Sequence, residues 1–161
     1  MNRLARRAVI GQRGFTLLEL LVVLVIVGVM LGVVSFNAMP SAQQALENEA
    51  RRIALLLQLA RDEAIVRNSP VAFEVEPERY RFLLRTNKTW APLEKDDLLR
   101  EREFARSPVT LLINPPLPPV SGPMRIIFGR EPVDRPFVLT LAIDDAHVAI
   151  HADGVGHFVV E

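Results

Sequence analysis

A run of twenty residues with a single charge constrains this chain more than any other feature of its sequence. The run extends from Phe15 to Val34, and its one charged residue is Glu19. Twenty helical residues rise about 30 Å, which is the thickness of the hydrocarbon core of a bilayer. No second run of this length occurs, so the sequence argues against a polytopic transporter. It predicts one membrane-spanning helix joined to a domain outside the membrane.

Charge is distributed unevenly on the two sides of the run. The formal net charge of the chain is zero, but residues 1–14 carry four arginines and no acidic residue, which leaves −4 on the remainder. By the positive-inside rule, these arginines place the N-terminus in the cytoplasm and the body across the membrane. A negatively charged body argues against nucleic acid as the main partner, because phosphate binding needs a basic face.

A cleaved secretory signal peptide, with its cleavage site near Ser35, is the alternative interpretation of this segment. The chain would then be released as an exported binding module. Two features weigh against this alternative. The apolar run is longer than the roughly 7–15 residues of such a peptide, and it contains a carboxylate that such a peptide has no reason to carry. The sequence alone leaves the alternative open.

Glu19 is the most informative residue of the run. A charge deep in a bilayer costs on the order of 3 kcal/mol, so such a residue is normally retained for a partner. If the chain were cut after Gly14, Phe15 would carry the free amine and Glu19 would be the fifth residue, about 6 Å further along the helix axis. A neighbouring subunit, offset along a filament, would then bring its own amine to the Glu19 carboxylate.

The string Arg13-Gly14-Phe15-Thr16-Leu17-Leu18-Glu19, ahead of the apolar run, resembles the class III signal of type IV pilins and type II secretion pseudopilins. The resemblance at this motif covers roughly the first 35 residues. It implies that a prepilin peptidase cuts after Gly14 and methylates the new N-terminal Phe15. It also implies that Glu19 pairs with a neighbour's amine during assembly.

An amphipathic helix is predicted beyond the run. Apolar residues recur at three-, four- and seven-residue steps between Leu46 and Ala64. Ser41 can cap this helix, and Asn68-Ser69-Pro70 would stop it. We expect one long helix from about residue 15 to residue 67, bent near residue 40, whose second half presents an apolar stripe to the following domain.

The rest of the chain is predicted to form β-strands, because short apolar segments alternate with turn signals. These segments begin at Val71, Tyr80, Val109, Met124, Phe137, His147 and Val155. The sequence thus predicts an α+β, pilin-like fold with one long N-terminal helix packed on an antiparallel domain of seven or eight strands. Residues 86–108 and 114–123 break the pattern and are predicted to be long loops, either solvated or binding a partner.

Four segments are therefore expected along the chain. Residues 1–14 form a cytoplasmic leader peptide, and residues 15–35 form the transmembrane and assembly helix. Residues 36–68 form the amphipathic half of the helix, which the resemblance places in the periplasm. Residues 69–161 form the antiparallel β domain.

Catalytic and metal-binding patterns are not evident in the sequence. On a strand, residues i and i+4 are about 13 Å apart, too far to share a metal, and aspartates in turns usually serve the turn itself. Serine-nucleophile motifs and phosphate-binding glycine loops are absent, as are cysteines. We predict no enzyme activity, no metal and no cofactor. The residues considered were His147, His151, His157, Asp144, Asp145 and Asp153.

The layout of the whole chain is similar to the minor pseudopilin H (GspH) family of type II secretion and to its FimT-type relatives. The resemblance implies a single-pass protein of the bacterial inner membrane with its N-terminus in the cytoplasm and its C-terminal domain in the periplasm. The expected partners are the prepilin peptidase, inner-membrane lipid, other minor pseudopilins and the major pseudopilin. The subunit would lie near the tip of the pseudopilus and join the tip complex to the shaft.

A minor pilin of the type IV system, acting in pilus assembly or DNA uptake, is the alternative that the same resemblance allows. DNA binding would need a basic patch on the body, in spite of its net negative charge. The sequence offers one candidate for such a patch, around Arg79, Arg81 and Arg85.

Overall fold

The computed structural model describes residues 15–37, 41–94, 96–118 and 122–161. The chain divides into two compact units, residues 1–39 and residues 40–161. The predicted leader, including Gly14, and the predicted bend near residue 40 lie outside the described residues.

Two helices and nine strands make up the described structure. The helices are α1 (Leu17–Asn37) and α2 (Ala42–Val66). The strands are β1 (Val71–Val75), β2 (Arg79–Thr86), β3 (Thr89–Pro92), β4 (Arg102–Glu103), β5 (Thr110–Asn114), β6 (Met124–Phe128), β7 (Phe137–Ile143), β8 (Ala146–Ala152) and β9 (Phe158–Val160).

Helix α1 belongs to the first unit and begins after Thr16. The Thr16 hydroxyl accepts a hydrogen bond from the Glu19 N–H at 3.2 Å, which satisfies one of the free amides of the first turn. The side chains of residues 15–32 are all exposed. An apolar helix without a covered face needs an apolar environment or other helices around it.

Helix α2 begins and ends where its sequence signals predict. The Ser41 hydroxyl accepts a hydrogen bond from the Gln44 N–H at 3.1 Å and caps the N-terminus. At the other end Asn68 has a φ of 49°, while the Ser69 N–H bonds to the Ala64 carbonyl and the Asn68 N–H to the Ile65 carbonyl. This is a Schellman motif with asparagine in the left-handed position.

Two antiparallel sheets pack against α2. The first has the strand order β3-β2-β1-β6, with β4 also paired to β2, and the second has the order β5-β7-β8-β9. Alternate residues of each central strand face the helix, so the core lies between α2 and the inner faces of the sheets. Its largest fully buried side chains include Tyr80, Phe73, Phe82, Phe128, Ile53 and Leu57.

The predicted fold class is confirmed, and the number of strands is corrected from seven or eight to nine. The two additional strands, β3 and β4, lie within residues 86–108, which were predicted to be a loop. Both pair with β2 at the edge of the first sheet, and both are short and largely exposed. Short edge strands lack the apolar alternation from which strands are predicted, so neither β3 nor β4 could be predicted from the sequence.

Candidate functional site

The N-terminal end of α1 carries the predicted processing and assembly residues. Phe15 is 71% exposed. Glu19 follows Thr16 by three residues, the spacing of a capping box, in which the glutamate carboxylate would bond back to the threonine N–H. Only the threonine half of this motif forms, and the Glu19 carboxylate has no hydrogen-bond or ion-pair partner among the described residues. It is thus available to a group outside the described part of the chain.

No helix in the described part of the chain is both long and apolar enough to cross a membrane.

A buried arginine joins α2 to two loops of the body. Arg61 is 8% exposed, and its Nη2 donates a hydrogen bond to the Pro132 carbonyl. Its guanidinium lies against Gly156, in the turn between β8 and β9. Nearby, the Asp134 N–H bonds to the Gly154 carbonyl at 2.7 Å. Arg61 therefore fixes the loop before β7 and the last hairpin to the same turn of the helix.

The first sheet carries a buried carboxylate on the face opposite α2. Glu74 is 1% exposed and accepts hydrogen bonds from Arg81 Nε at 2.6 Å and from Arg125 Nε at 3.0 Å. These arginines are its cross-strand neighbours on β2 and β6. Burial by itself would raise the pKa of Glu74, but the hydrogen bonds and charges of Arg125 and Arg81 lower it below its ordinary value.

The single tryptophan extends this cluster across the sheet. The guanidinium carbon of Arg125 lies 5.5 Å from the centroid of the Trp90 ring, and that of Arg85 lies 5.8 Å from it. Both distances are in the range of cation–π interactions. On the same face, Ala72 and Leu83 are 0% and 4% exposed. Glu74, Ala72 and Leu83 thus form a small buried cluster on the outer face of the first sheet.

The candidate basic patch is neutralised in the folded chain. Arg79 pairs with Glu76 at 2.9 Å and with Glu101 at 3.4 Å. Arg81 pairs with Glu74, with its Nη2 2.5 Å from the Glu74 Oε1. Arg85 alone of the three has no carboxylate partner among the described residues. The arrangement does not offer the row of free cations that phosphate binding requires.

A third polar cluster connects α2 with β2. Arg52 Nη2 bonds to both carboxylate oxygens of Glu49, at 2.5 and 2.7 Å, and Arg52 Nε bonds to the Tyr80 hydroxyl at 3.1 Å. Glu49 is 7% exposed and Tyr80 is 0% exposed. Burial, followed by the charge of Glu49, raises the pKa of Tyr80 to about 12, although Arg52 acts in the opposite direction. The phenol therefore stays neutral at any physiological pH.

Asp153, His157 and His151 make contacts with residues near them in the fold. Asp153 Oδ1 accepts the backbone N–H groups of Val155, Gly156 and His157, and its Oδ2 lies 2.6 Å from His157 Nδ1. The bond to His157 and then that to the Val155 N–H lower the pKa of Asp153 to about 2. His151 lies 3.5 Å from Glu161. In the described ranges no three metal-ligating side chains are grouped closely enough to hold an ion.

The buried charged residues Glu49, Arg61 and Glu74 are not among the residues predicted from the sequence. A signal for them was present. Glu49 and Arg61 fall on the apolar stripe of α2, and Glu74 falls inside a strand whose other four residues are apolar. A buried charge is rarely kept unless it is paired, so a charge among buried apolar positions predicts a partner for each of these residues.

Two segments of the chain match known families. Residues 49–156 match the family of the type II transport protein GspH, and residues 11–35 match the prokaryotic N-terminal methylation motif. A helix with this motif, followed along the chain by a helix packed on antiparallel sheets, defines a protein with an N-terminal methylation motif and a pilin-like fold. Because the first match covers more than half of the chain, the protein belongs to the family of the type II transport protein GspH.

Two relatives carry the name type II secretion system protein H. That of Pseudomonas aeruginosa is 36% identical over 89 residues, which cover 53% of this chain and 52% of the relative. That of Escherichia coli K12 is 28% identical over 138 residues, which cover 81% of each chain. The chain therefore spans about half the length of the first relative.

Solved structures share the fold. The minor pseudopilin EpsH of the Vibrio cholerae type II secretion system aligns with a TM-score of 0.58 at 15% identity, over 74% of this chain and 95% of that one. The type IV minor pilin FimU of P. aeruginosa aligns with a TM-score of 0.53 at 14% identity, over 72% of this chain and 87% of that one.

The GspH family and the methylation motif together imply that the chain is anchored in a membrane.

Proposed function

We propose that the protein is held in the bacterial inner membrane through residues 15–35 and is built into the periplasmic pseudopilus of a type II secretion system. Prepilin peptidase cuts the leader, residues 1–14, after Gly14 and methylates Phe15. The body, with its negative net charge and its two sheets, then lies in the periplasm. The role is structural, with no catalysis and no cofactor.

The observation that carries this proposal is the free carboxylate of Glu19. It is the single charge of an apolar run, it has no partner among the described residues, and it lies in the segment that matches the methylation motif. A carboxylate kept in apolar surroundings at a cost of about 3 kcal/mol calls for a cation. The amine created at Phe15 of a neighbouring subunit is a cation at the matching depth.

Within the fibre we place this subunit near the tip, where it joins the other minor pseudopilins to the shaft of the major one. This placement rests on family membership. Its test is pull-down of the assembled complex from the native membrane: the other minor pseudopilins and the major pseudopilin are both recovered with this subunit. Recovery of the major pseudopilin alone would contradict a position at the junction.

The intact mass and N-terminal peptide of the protein from its native membrane test the processing step. We expect a chain that starts at N-methylated Phe15. A start at Met1 would refute cleavage and assembly, and a start near Phe36 would indicate release by signal peptidase. A bulky residue in place of Gly14 should leave an uncut precursor of 18.0 kDa. Gly14→Ala is the matched control, and we expect partial processing.

A type IV minor pilin is the second candidate, because FimU shares the fold. The two candidates differ in the phenotype of a deletion. A pseudopilin deletion abolishes secretion of the type II substrates and leaves pili intact, whereas a minor-pilin deletion has the reverse effect. The neutralised arginines of the body favour the first candidate over a role in DNA uptake.

A further inference from the structure

The charge balance on the outer face of the first sheet changes along β2. Near the start of the strand, Arg79 and Arg81 are both paired with carboxylates. Near its end, Arg85 has no carboxylate within 4.0 Å in the described ranges. These ranges contain all 19 acidic residues of the chain. Arg85 therefore carries a charge that no carboxylate of the body compensates.

An aromatic ring nevertheless holds Arg85 in place. Arg85 and Trp90 are directly opposite each other on β2 and β3, so their side chains share the outer face. The Arg85 guanidinium carbon lies 5.8 Å from the centroid of the Trp90 ring. A guanidinium stacked on a ring can still form a planar, bidentate bond to a carboxylate. Because the stacking already restricts the Arg85 side chain, less side-chain entropy is lost when a ligand binds it.

The Trp90 ring is supported in turn by the sheet beneath it. The guanidinium carbon of Arg125 lies 5.5 Å from the ring centroid, although β2 and β1 separate the two strands that carry these residues. The outer-face residues of those intervening strands, Leu83 and Ala72, are buried. Arg125 is itself held by the buried Glu74. Trp90 remains partly exposed, so it presents a fixed apolar surface beside a free cation.

Other uncompensated arginines of the body lack this support. Arg100, Arg130 and Arg135 are exposed and have no carboxylate partner in the described ranges, but they lie in loops between strands. No described aromatic ring stacks on any of the three. Tryptophan and arginine are enriched at interface hot spots, where the side chains are well packed and become desolvated on binding. Arg85 and Trp90 combine these features.

We propose that Arg85 and Trp90 form a docking surface for a neighbouring subunit of the pseudopilus, which presents a carboxylate to Arg85 and an apolar side chain to the Trp90 ring. The inference rests on the proposed function, because it takes the partner from the same fibre. A carboxylate complements one planar guanidinium, whereas nucleic acid or an anionic lipid surface requires several free cations. An exposed ion pair alone contributes little, so the apolar contact with Trp90 is part of the same surface.

Zero-length cross-linking in the native membrane tests this contact. A carbodiimide joins a lysine amine to a carboxylate when the two groups touch. The chain has only two lysines, Lys88 and Lys95, so Arg85→Lys combined with Lys88→Arg places a new amine on the docking surface and removes the one in the adjacent turn. Arg130→Lys combined with Lys88→Arg is the matched control. We expect mass spectrometry to find residue 85, but not residue 130, joined to an aspartate or glutamate of another pseudopilin.

Three results would overturn the proposal. These are the absence of a link from residue 85 to another subunit, an equal yield from residue 130, and a link to a second copy of this chain. The N-terminal peptide from the same preparation separates this failure from failure of the proposed function. A chain that starts at N-methylated Phe15 and is recovered with other pseudopilins, but gives no link at residue 85, keeps the function and loses only this contact.

Charge reversal gives a second measurement on full-length variants. Arg85→Glu should reduce recovery of the linked neighbour at least about fivefold, because repulsion replaces attraction. Arg130→Glu, at an equally exposed position, should leave recovery unchanged. Changing the linked carboxylate of the neighbour to arginine should restore recovery with Arg85→Glu. Equal losses in the two variants, or no recovery after the exchange of charges, would contradict a direct contact.

Two substitutions of Trp90 test the apolar part of the surface. Trp90→Phe keeps an aromatic ring over Leu83 and Ala72 and should retain most of the link at residue 85. Trp90→Ala removes the ring and should reduce the link several-fold, and unfolding of both variants is measured alongside. Equal yields from the two variants would show that the neighbour does not contact the ring.

Discussion

The Arg61 guanidinium packs directly against Gly156, so closely that a β-carbon built on Gly156 would lie 2.6 Å from Arg61 Nη1. The contact joins the C-terminal part of α2 to the turn of the last hairpin. Gly156 also has a φ of +112°, a conformation that residues with a side chain rarely adopt. Two separate physical reasons thus favour glycine at this position, and they can be measured separately.

Gly156→Ala should destabilise the body by about 2–4 kcal/mol, through backbone strain and through displacement of Arg61. Gly122→Ala is the matched control, because Gly122 has a φ of +127° but no atom of the described residues within 4 Å of the added carbon. We expect it to show the strain alone. Denaturant unfolding followed by the fluorescence of the single tryptophan measures both. Equal losses in the two variants would show that the Arg61 contact contributes nothing.

Glu74→Gln should cost about 2 kcal/mol, because it leaves Arg81 and Arg125 without their buried carboxylate. Arg81 and Arg125 remain about one-third exposed, which limits the loss. Glu101→Gln, at an exposed ion pair, should change stability by less than about 1 kcal/mol. The free energy of unfolding at neutral pH measures both. A Glu74→Gln variant as stable as Glu101→Gln would contradict the cluster's contribution.

Acidification should lower the stability of the body by protonating the Glu74 carboxylate. The folded-state pKa of Glu74 lies below its ordinary value of 4.5, so its contribution is fully present above that pH. The contribution is lost as the pH falls below 4.5 through the folded-state pKa. Stability measured against pH should therefore fall less steeply in Glu74→Gln than in the parent chain. Parallel curves would show that Glu74 is not responsible.

Tyr80 should resist ionisation, because burial raises its pKa to about 12. It is the only tyrosine of the chain, so the ultraviolet absorbance of phenolate reports it alone. We expect little phenolate signal at pH 10–11 while the chain is folded, whereas a free tyrosine would be half ionised or more in this range. Since the folded-state pKa is raised, the contribution of Tyr80 to stability is complete below about pH 10 and is lost as the pH rises through 12. Tyr80→Phe should remove this part of the alkaline loss.

Glu19 offers a test that separates charge from helix capping. Glutamine fills the capping-box position as glutamate does, but it carries no charge. If Glu19 pairs with a neighbour's amine, Glu19→Gln should impair incorporation into the fibre as strongly as Glu19→Ala, with membrane insertion and cleavage intact. Cross-linking to neighbouring subunits and secretion of substrate are the measurements. Normal incorporation of Glu19→Gln would mean that the residue serves α1 itself.

Local signals in the sequence were sufficient for the elements that depend on neighbouring residues. Ser41 and Asn68 mark the ends of α2, and the spacing of Leu46 and Ala64 indicates its buried face. The turn at Asp144 separates two strands with clear apolar content. Such signals act over a few residues, so they can be read without knowledge of the fold.

Neither the number of strands nor the partners of the buried charges could be predicted from such local signals. Strand β3 pairs with β2 although its exposed residues have no alternation, because the free edge of β2 accepts it. Glu49 and Arg61 lie on the apolar stripe of α2. The sequence shows their positions, but not that Arg52 would link Glu49 to Tyr80 or that Arg61 would bond to Pro132.

The sequence by itself determined the class of this protein. One charge within twenty apolar residues, a glycine and a phenylalanine ahead of it, and an amphipathic helix followed by strands are all patterns of neighbouring residues. Only the tertiary structure decided which strands pair in each sheet and that β5 and β6 would line the same cavities. Strand pairing joins residues that are distant in sequence, and its outcome depends on the packing of both sheets against α2.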